Sequence, residues 1–518
     1  MSERYHYHIA IIGGGILGCS IAYLLSYNLK PGTRILLVEQ ETSPGFHASS
    51  RNTGKVHAPF LYDPSKRKLF AKAASMGFEM LSDYCQSRHL PFIKDGILEV
   101  ATSESGIAHL ERYIEWGYSN GLSQDELRYL DKQEVANLEP NVRCTGAIHC
   151  TKDASVNYGE ITRSLLVDAR TLGCEVMFGT KVLSVASAEH TDSDQGFKGL
   201  HHDSIQHQHP KFRLKLLRVL TFSESTSPAG GRRGSFLYSN NETNITRSAI
   251  DNQKLSLVEL SADYLVNVAG GAALHLAHGM GLAKGYSDLH FRGEYWVAPP
   301  CFRDLTRMSI YSVPKYPEYP FLDPHWVVRI DGSREVGPNA VLVSGPFAYH
   351  WNQNMRLILP KILQSIRDTG RVGLFNLFTD KKFVTLTLHE FRSSLSKRVM
   401  INRARQFLPA LDPSLFTKRG TSGIRSSLVD TNGKFVSDIL IVGNEDSVHM
   451  LNYNSPGATG ALPVAALIVD RIIKQEGFRS TARSNSGEKG NSRRDLGPAS
   501  KWDIHHLGDF LNERTGHL

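Results

Sequence analysis

The chain has 518 residues, 41% of them hydrophobic and 21% charged, with a formal charge of +8 at pH 7. That composition provides for two to three domains with a large buried core, and it excludes whole-chain disorder, collagen-like repeats and a coiled coil. No apolar run approaches the ~18 residues of a membrane span, and the basic excess is spread along the chain, so neither an integral membrane protein nor a nucleic-acid surface is indicated.

Six cysteines, at 19, 85, 144, 150, 174 and 301, form no C-x-x-C pair. A reducing compartment is expected, without a disulfide framework or zinc ribbon. A strand pattern begins near Tyr7, which leaves no space for the apolar core of a secretory leader. The expected location is therefore intracellular, cytoplasmic or mitochondrial.

In chain order, His8 to Ile12 is a short β-branched apolar run of the kind that makes a central parallel strand. Gly13-x-Gly15-x-x-Gly18 follows, then a helix-period segment from Ile16 to about Leu29, stopped by Pro31-Gly32. Arg34 to Val38 is a second buried strand closing on Glu39, which completes a βαβ unit. Gly13 permits the tight turn, Gly15 lets the backbone approach a pyrophosphate, and Gly18 lets the helix pack on the sheet. The helix N-terminus offers free N–H groups to phosphates. Glu39, 21 positions after Gly18, can accept ribose hydroxyls and disfavours a 2′-phosphate, so FAD or NAD is preferred to NADP. The next loop, from Gly45 to Ala58, is dense in small hydroxylated residues. Such a loop suits the close approach of a flavin ring, and this points to FAD.

Further along, 69–85 and 159–172 read as amphipathic helices, 175–178 as a strand, and 264–269 as an apolar strand ending in Gly270-Gly271. Residues 189–258 are rich in His, Ser and Thr without a defensible ligand spacing, so they read as a disordered polar insertion with no metal site. From 477 onward the composition predicts a flexible tail with at most a short terminal helix. No internal period marks a solenoid or propeller.

The loop His47-x-x-x-x-Asn52-Thr53-Gly54-x-Val56-His57-Ala58 resembles the flavin loop of D-amino-acid-oxidase-like flavoproteins, and within them that of the L-2-hydroxyglutarate dehydrogenase/oxidase family. Four further blocks follow in order: Phe291-Arg292-Gly293-Glu294-Tyr295; Val313-Pro314 through Arg329-x-Asp331-Gly332 to Val341; Gly423-Ile424-Arg425; and Leu451-Asn452-x-x-Ser455-Pro456-x-Ala458-Thr459. The resemblance implies an α/β plus α+β chain. A Rossmann-like FAD-binding domain is expected over 1–82, 145–188, 259–282 and 418–476, and a mixed-sheet substrate domain over 83–144 and 283–417. It implies FAD contacts from Gly13, Gly15, Gly18, Glu39, Ser49, Asn52, Thr53, Gly54, Val182, Gly270, Gly423, Arg425, Ser455, Pro456, Gly457, Ala458 and Thr459. Departures from the family pattern cluster near the expected pocket: Lys55, Pro59, Asp323-Pro324, Trp326-Val327-Val328 and Ser426-Ser427. Pro463 falls inside the expected last helix.

Oxidising a 2-hydroxy acid needs a base for the hydroxyl proton, a hydride acceptor, and cations for carboxylates. Flavin would be the acceptor, and a neutral imidazole with a pKa near ~6.5 is the natural base. His57 and His325 fall inside the matched blocks and are the candidates, either as base or as orienting groups. Arg292 and Arg329 can fork a carboxylate, or can pair structurally with Glu294 and Asp331. Tyr62 and Tyr295 can donate hydrogen bonds or pack. Expected partners are a small acidic substrate and an electron acceptor, oxygen or a quinone; no nucleic acid is expected, and peripheral membrane contact stays open. A non-covalent flavin is expected, with His47 close enough in sequence to the ring loop for a covalent link. Two alternatives remain: an FAD-dependent amine or amino-acid oxidase, and a non-catalytic flavin-binding module.

Overall fold

Ile35–Val38 is aliphatic and buried at every position, which is stable only inside a sheet covered on both faces. In the computed structural model of the chain this strand lies beside His6–Ile12. The structure describes residues 5–187, 211–219, 255–316, 319, 321, 323–350, 359–364, 376–454, 457–475, 478 and 498–512. The first sheet runs in spatial order Thr180–Ser187, Phe212–Val219, Leu255–Asn267, His6–Ile12, Ile35–Val38 and Glu175–Met177. Ser447–Asn452 pairs in parallel with the end of Leu255–Asn267 and carries Leu440–Gly443 at its other edge. His6–Ile12 is parallel to both neighbours, and Ile9 stands opposite Ile35 and Tyr264. Helix Ile16–Asn28 packs against Tyr158–Thr171 and Ala461–Ile473, joining Ile21, Leu24 and Leu25 to Ile9, Ile11 and Val266 in the main core.

A second, mixed sheet has the order Lys418–Arg419, Trp296–Val297, Arg334–Gly337, His325–Val328, Ser309–Ser312, Ile97–Ala101, Gly146–Cys150 and Leu127–Asp131. Its one parallel pair is Ser309–Ser312 with Ile97–Ala101. Ser287–Gly293 forms a smaller sheet between Val341–Val343 and Gly423–Val429.

Two boundaries shift. Gly146–Cys150, expected with the nucleotide domain, pairs antiparallel with both Ile97–Ala101 and Leu127–Asp131. Gly423–Val429, also expected there, pairs with Ser287–Gly293. In both cases strand pairing with distant sequence overrode chain proximity.

The polar insertion also needs correction. Within 189–258, Phe212–Val219 is a full strand of the first sheet, antiparallel to Thr180–Ser187 and to Leu255–Asn267. Phe212, Leu214 and Leu216 are buried on one face while Arg213 and Lys215 are exposed. This period of two is short and embedded in polar sequence, which hid it. The other residues of the His-rich tract lie outside the described set. In the tail, Ile504–Asn512 is a helix that buries Ile504 and Leu511 against Ala461–Ile473. Pro463 is accommodated because that inner helix starts at Ala461. It therefore occupies the first turn, where a backbone N–H has no intrahelical partner in any case.

Candidate active site

One cavity joins the glycine turn to the two histidines. Gly15, Ile16 and Leu17 line one part of it, Ser49, Asn52 and Thr53 come from the following loop, and His57, Tyr295, Tyr311, His325 and Arg425 line another part. Gly270, Gly423, Gly457, Ala458 and Thr459 line it as well. Arg51, Lys55 and Arg425 are its cations, and no Asp or Glu among the described residues lines it.

The glycine turn fits a pyrophosphate. Gly13 sits at φ +114°, and a Cβ there would lie 2.5 Å from the Val268 carbonyl oxygen. At Gly18 a Cβ would lie 1.9 Å from the Gly13 carbonyl oxygen, so both glycines are required by the turn itself. Gly15 differs: its Cβ would meet only Ser49 Oγ, at 3.2 Å, and it faces the cavity. Gly15, at the start of the helix, has no side chain to cap it, and the Ile16 N–H donates to Ser49 Oγ from the following loop at 2.9 Å. Glu39 accepts from the Gly14 N–H at 2.6 Å and the Glu41 N–H at 2.8 Å. Its carboxylate thus braces the turn and retains further lone pairs for ribose hydroxyls. A helix N-terminus at the cavity, a glycine that faces it and a carboxylate at the second strand end together fit the expected dinucleotide.

His57 is held from three directions. Its N–H donates to Thr459 Oγ1 at 3.1 Å, its Nδ1 lies 3.1 Å from Asp153 Oδ2, and its ring meets Tyr311 edge-on with centroids 5.7 Å apart. Asp153 is fully buried, and its other oxygen accepts from the Ala58 N–H at 2.6 Å. A carboxylate engaged in this way accepts the Nδ1 proton, which leaves Nε2 as the nitrogen with a lone pair.

His325 stacks on the same Tyr311 ring, with ring centroids 3.9 Å apart. Its Nδ1 lies 3.0 Å from the Asp323 carbonyl oxygen. A carbonyl can only accept, so Nδ1 carries the proton and the buried Nε2, which has no partner among the described residues, presents a lone pair. Burial pushes this imidazole down to about 3, with His57, Arg425 and Arg329 adding to the effect against the Asp323 carbonyl.

The expected substrate arginines lie elsewhere. Arg292 is 1% exposed, pairs with Glu294 at 2.8 Å and donates to the carbonyls of Ala348 and Tyr349. Arg329 pairs with Glu335, rather than with Asp331, and donates to the Asn52 carbonyl. Neither lines the cavity. A buried guanidinium is stable only beside an acceptor, and both found one within the protein. Arg425, half-buried on Gly423–Val429, reaches the cavity, and desolvation lowers its pKa. Tyr295 lines the cavity, its hydroxyl pushed up to about 12 by burial. Tyr62 does not; it lies under the Arg67 guanidinium. Val182 and Gly54 also stay off the cavity, Val182 within a core on the far strands of the first sheet. Ser455 and Pro456 lie outside the described residues. His47 does not line the cavity, and both its ring nitrogens are engaged, with Glu41 at 3.0 Å and Tyr349 at 3.2 Å. The covalent alternative therefore has no geometric support.

Asp153 and Tyr311 escaped the sequence reading. Asp153 sits 96 positions from His57 in a turn without a motif. Lys55, a departure from the family pattern, is ion-paired with Asp95 at 2.6 Å and donates to Ser155 Oγ at 2.7 Å.

Residues 8–205 match the family model described as FAD dependent oxidoreductase (DAO). The chain is 27% identical over 466 residues to the L-2-hydroxyglutarate dehydrogenase of Salmonella houtenae, covering 90% of this chain and 93% of that one. It is 25% identical over 476 residues to the mitochondrial L-2-hydroxyglutarate dehydrogenase of Nematostella vectensis, covering 91% of each. Among solved structures it is similar in fold to the L-alpha-glycerophosphate oxidase of Mycoplasma pneumoniae with FAD bound. The TM-score is 0.61 at 18% identity, over 93% of this chain and 97% of that one.

Proposed function

Since this chain is an FAD-dependent oxidoreductase carrying a DAO-family domain, we propose that it oxidises a small 2-hydroxy acid, of the L-2-hydroxyglutarate type, to the 2-oxo acid. The names of its curated relatives support that substrate class. The observation that carries it is the pairing, in a cavity that no carboxylate among the described residues lines, of a His57–Asp153 dyad with the Arg425 guanidinium. FAD, when bound, supplies the acceptor for the Cα hydride.

The chain's own residues have separate tasks. Arg425 holds the substrate carboxylate through two parallel hydrogen bonds. His57 Nε2 takes the hydroxyl proton, and Asp153 stabilises the imidazolium that results, through Nδ1–H. His325 cannot carry the proton near neutral pH, because burial holds it neutral. It acts as an acceptor that orients the hydroxyl, with Tyr311 fixing the spacing of the two rings. Loss of the hydroxyl proton to His57 and of the hydride from Cα balances the two-electron oxidation.

Anaerobic addition of L-2-hydroxyglutarate, lactate and a panel of amino acids to the FAD-loaded protein, followed by flavin absorbance, tests this reading. Bleaching by hydroxy dicarboxylates is expected. Bleaching by amino acids alone would replace it with an amine-oxidase function, and a flavin that no substrate bleaches would leave a binding module.

A further inference from the structure

The strand Ile97–Ala101 runs beside the Tyr311 strand. Its middle residue, Glu99, is 1% exposed, and neither of its carboxyl oxygens has a hydrogen-bond partner among the described residues. Directly opposite on the parallel neighbour stands Tyr311, the ring that meets both His325 and His57.

The groups around Glu99 come from every packed element. Helix Glu104–Ser119 contributes Tyr113, with the exposed Arg112 beyond it. On Gly146–Cys150 the opposite residue is Ile148, with Cys150 two positions along on the same face; His149, whose pKa burial lowers, pairs with Leu98 on the other face. The charged groups that act on Glu99 are Asp153 and Asp323, and both repel a second negative charge. These are also the two residues that hold Nδ1 of His57 and Nδ1 of His325. Burial first, and then these two carboxylates, push the Glu99 carboxyl up to about 8.

We infer that Glu99 is a positioning residue of this site. As a neutral carboxylic acid it keeps the Tyr311–histidine stack closed and leaves Asp153 as the single negative charge behind His57; on losing its proton it disables the stack. The inference rests on the histidine pair being the reacting end of the cavity, as proposed above.

The test uses Glu99→Gln, which mimics the neutral acid, in the FAD-loaded protein, with Glu99→Leu as a second variant should the glutamine form fail to accumulate. Two readouts are taken against pH. In the first, flavin reduction by the best hydroxy acid is expected to fall tenfold per unit above pH 8 in the wild type and to hold its rate in the variant. The variant is then about tenfold faster at pH 9, one unit above the Glu99 titration. The second needs no substrate. The His57 ring resonance, assigned by its absence in His57→Gln, should show a step near pH 8 in the wild type and none in the variant. A step that persists in the variant, or one missing from the wild type, overturns the inference. So does an alkaline fall in reduction rate that survives the substitution. If the resonance step behaves as expected but no hydroxy acid reduces the flavin, the proposed reaction fails and the assignment of Glu99 stands.

Discussion

Replacing Asp153 with asparagine leaves the volume unchanged but removes one of two acceptors that the buried carboxylate uses. Its Oδ1 accepts from the Ala58 N–H at 2.6 Å, and its Oδ2 faces His57 Nδ1 at 3.1 Å. An amide offers a single acceptor oxygen. The Ala58 N–H is buried backbone without an alternative partner in view, so the amide oxygen stays there and the NH2 turns toward His57. Nδ1 must then accept, the ring proton moves to Nε2, and the cavity faces an N–H where it had a lone pair. Losing a positioned base costs ~10²–10⁴ in rate, about 3–5 kcal/mol in the barrier; the Asp-to-Asn change in the serine-protease triad produces a loss at the upper end by the same tautomer effect. Stopped-flow flavin reduction by L-2-hydroxyglutarate should therefore slow by that factor in Asp153→Asn, with FAD content intact. Combining it with His57→Ala should add little, since the two residues act as a unit. Reduction at the wild-type rate in Asp153→Asn would refute the dyad and return the role of base to another group.

Gly15→Val should yield a folded but colourless protein by circular dichroism and visible absorbance, because the added side chain crowds Ser49 Oγ, 3.2 Å from the new Cβ, and projects into the cavity that Gly15 lines. Arg425→Lys keeps the charge but loses the fork; a missing charged hydrogen bond should raise KM for carboxylate substrates about 10- to 100-fold with a smaller change in kcat. Glu99 binds a proton on folding between its ordinary 4.5 and about 8. Its contribution to stability is therefore full below pH 4.5 and declines by about 1.4 kcal/mol per pH unit as pH rises toward 8. Urea unfolding should show Glu99→Gln more stable than wild type at pH 8; equal stability would contradict a buried neutral acid. Truncation after 478 removes Ile504 and Leu511 from the core and uncovers Asp470, which His505 and Lys474 now flank. At about 1.5–3 kcal/mol per buried aliphatic side chain, the truncated protein should melt measurably lower. An unchanged melting temperature would show that the terminal helix adds nothing.

The amino-acid order alone laid out the turn proposed to hold the nucleotide. Gly13, Gly15, Gly18 and Glu39 act through backbone turns, helix ends and strand ends, all within one βαβ unit, so spacing along the chain was a sufficient guide. The aliphatic strands and amphipathic helices around them were legible for the same local reason. The end proposed to react was not. His57 and His325 stood out in the sequence, but which nitrogen each presents follows from Asp153 and from the Asp323 carbonyl. Arg292 and Arg329 carry the right chemistry, yet Glu294 and Glu335 claimed them, and Arg425 reached the cavity. Phe212–Val219 took its place because two distant strands offered matching edges. Glu99 reads as one charged residue in an apolar strand, and only burial opposite Tyr311 makes it a neutral acid. Short-range backbone rules act between residues close along the chain, whereas tautomer, ion-pair choice and proton affinity depend on whatever the folded sheets bring within a few ångströms.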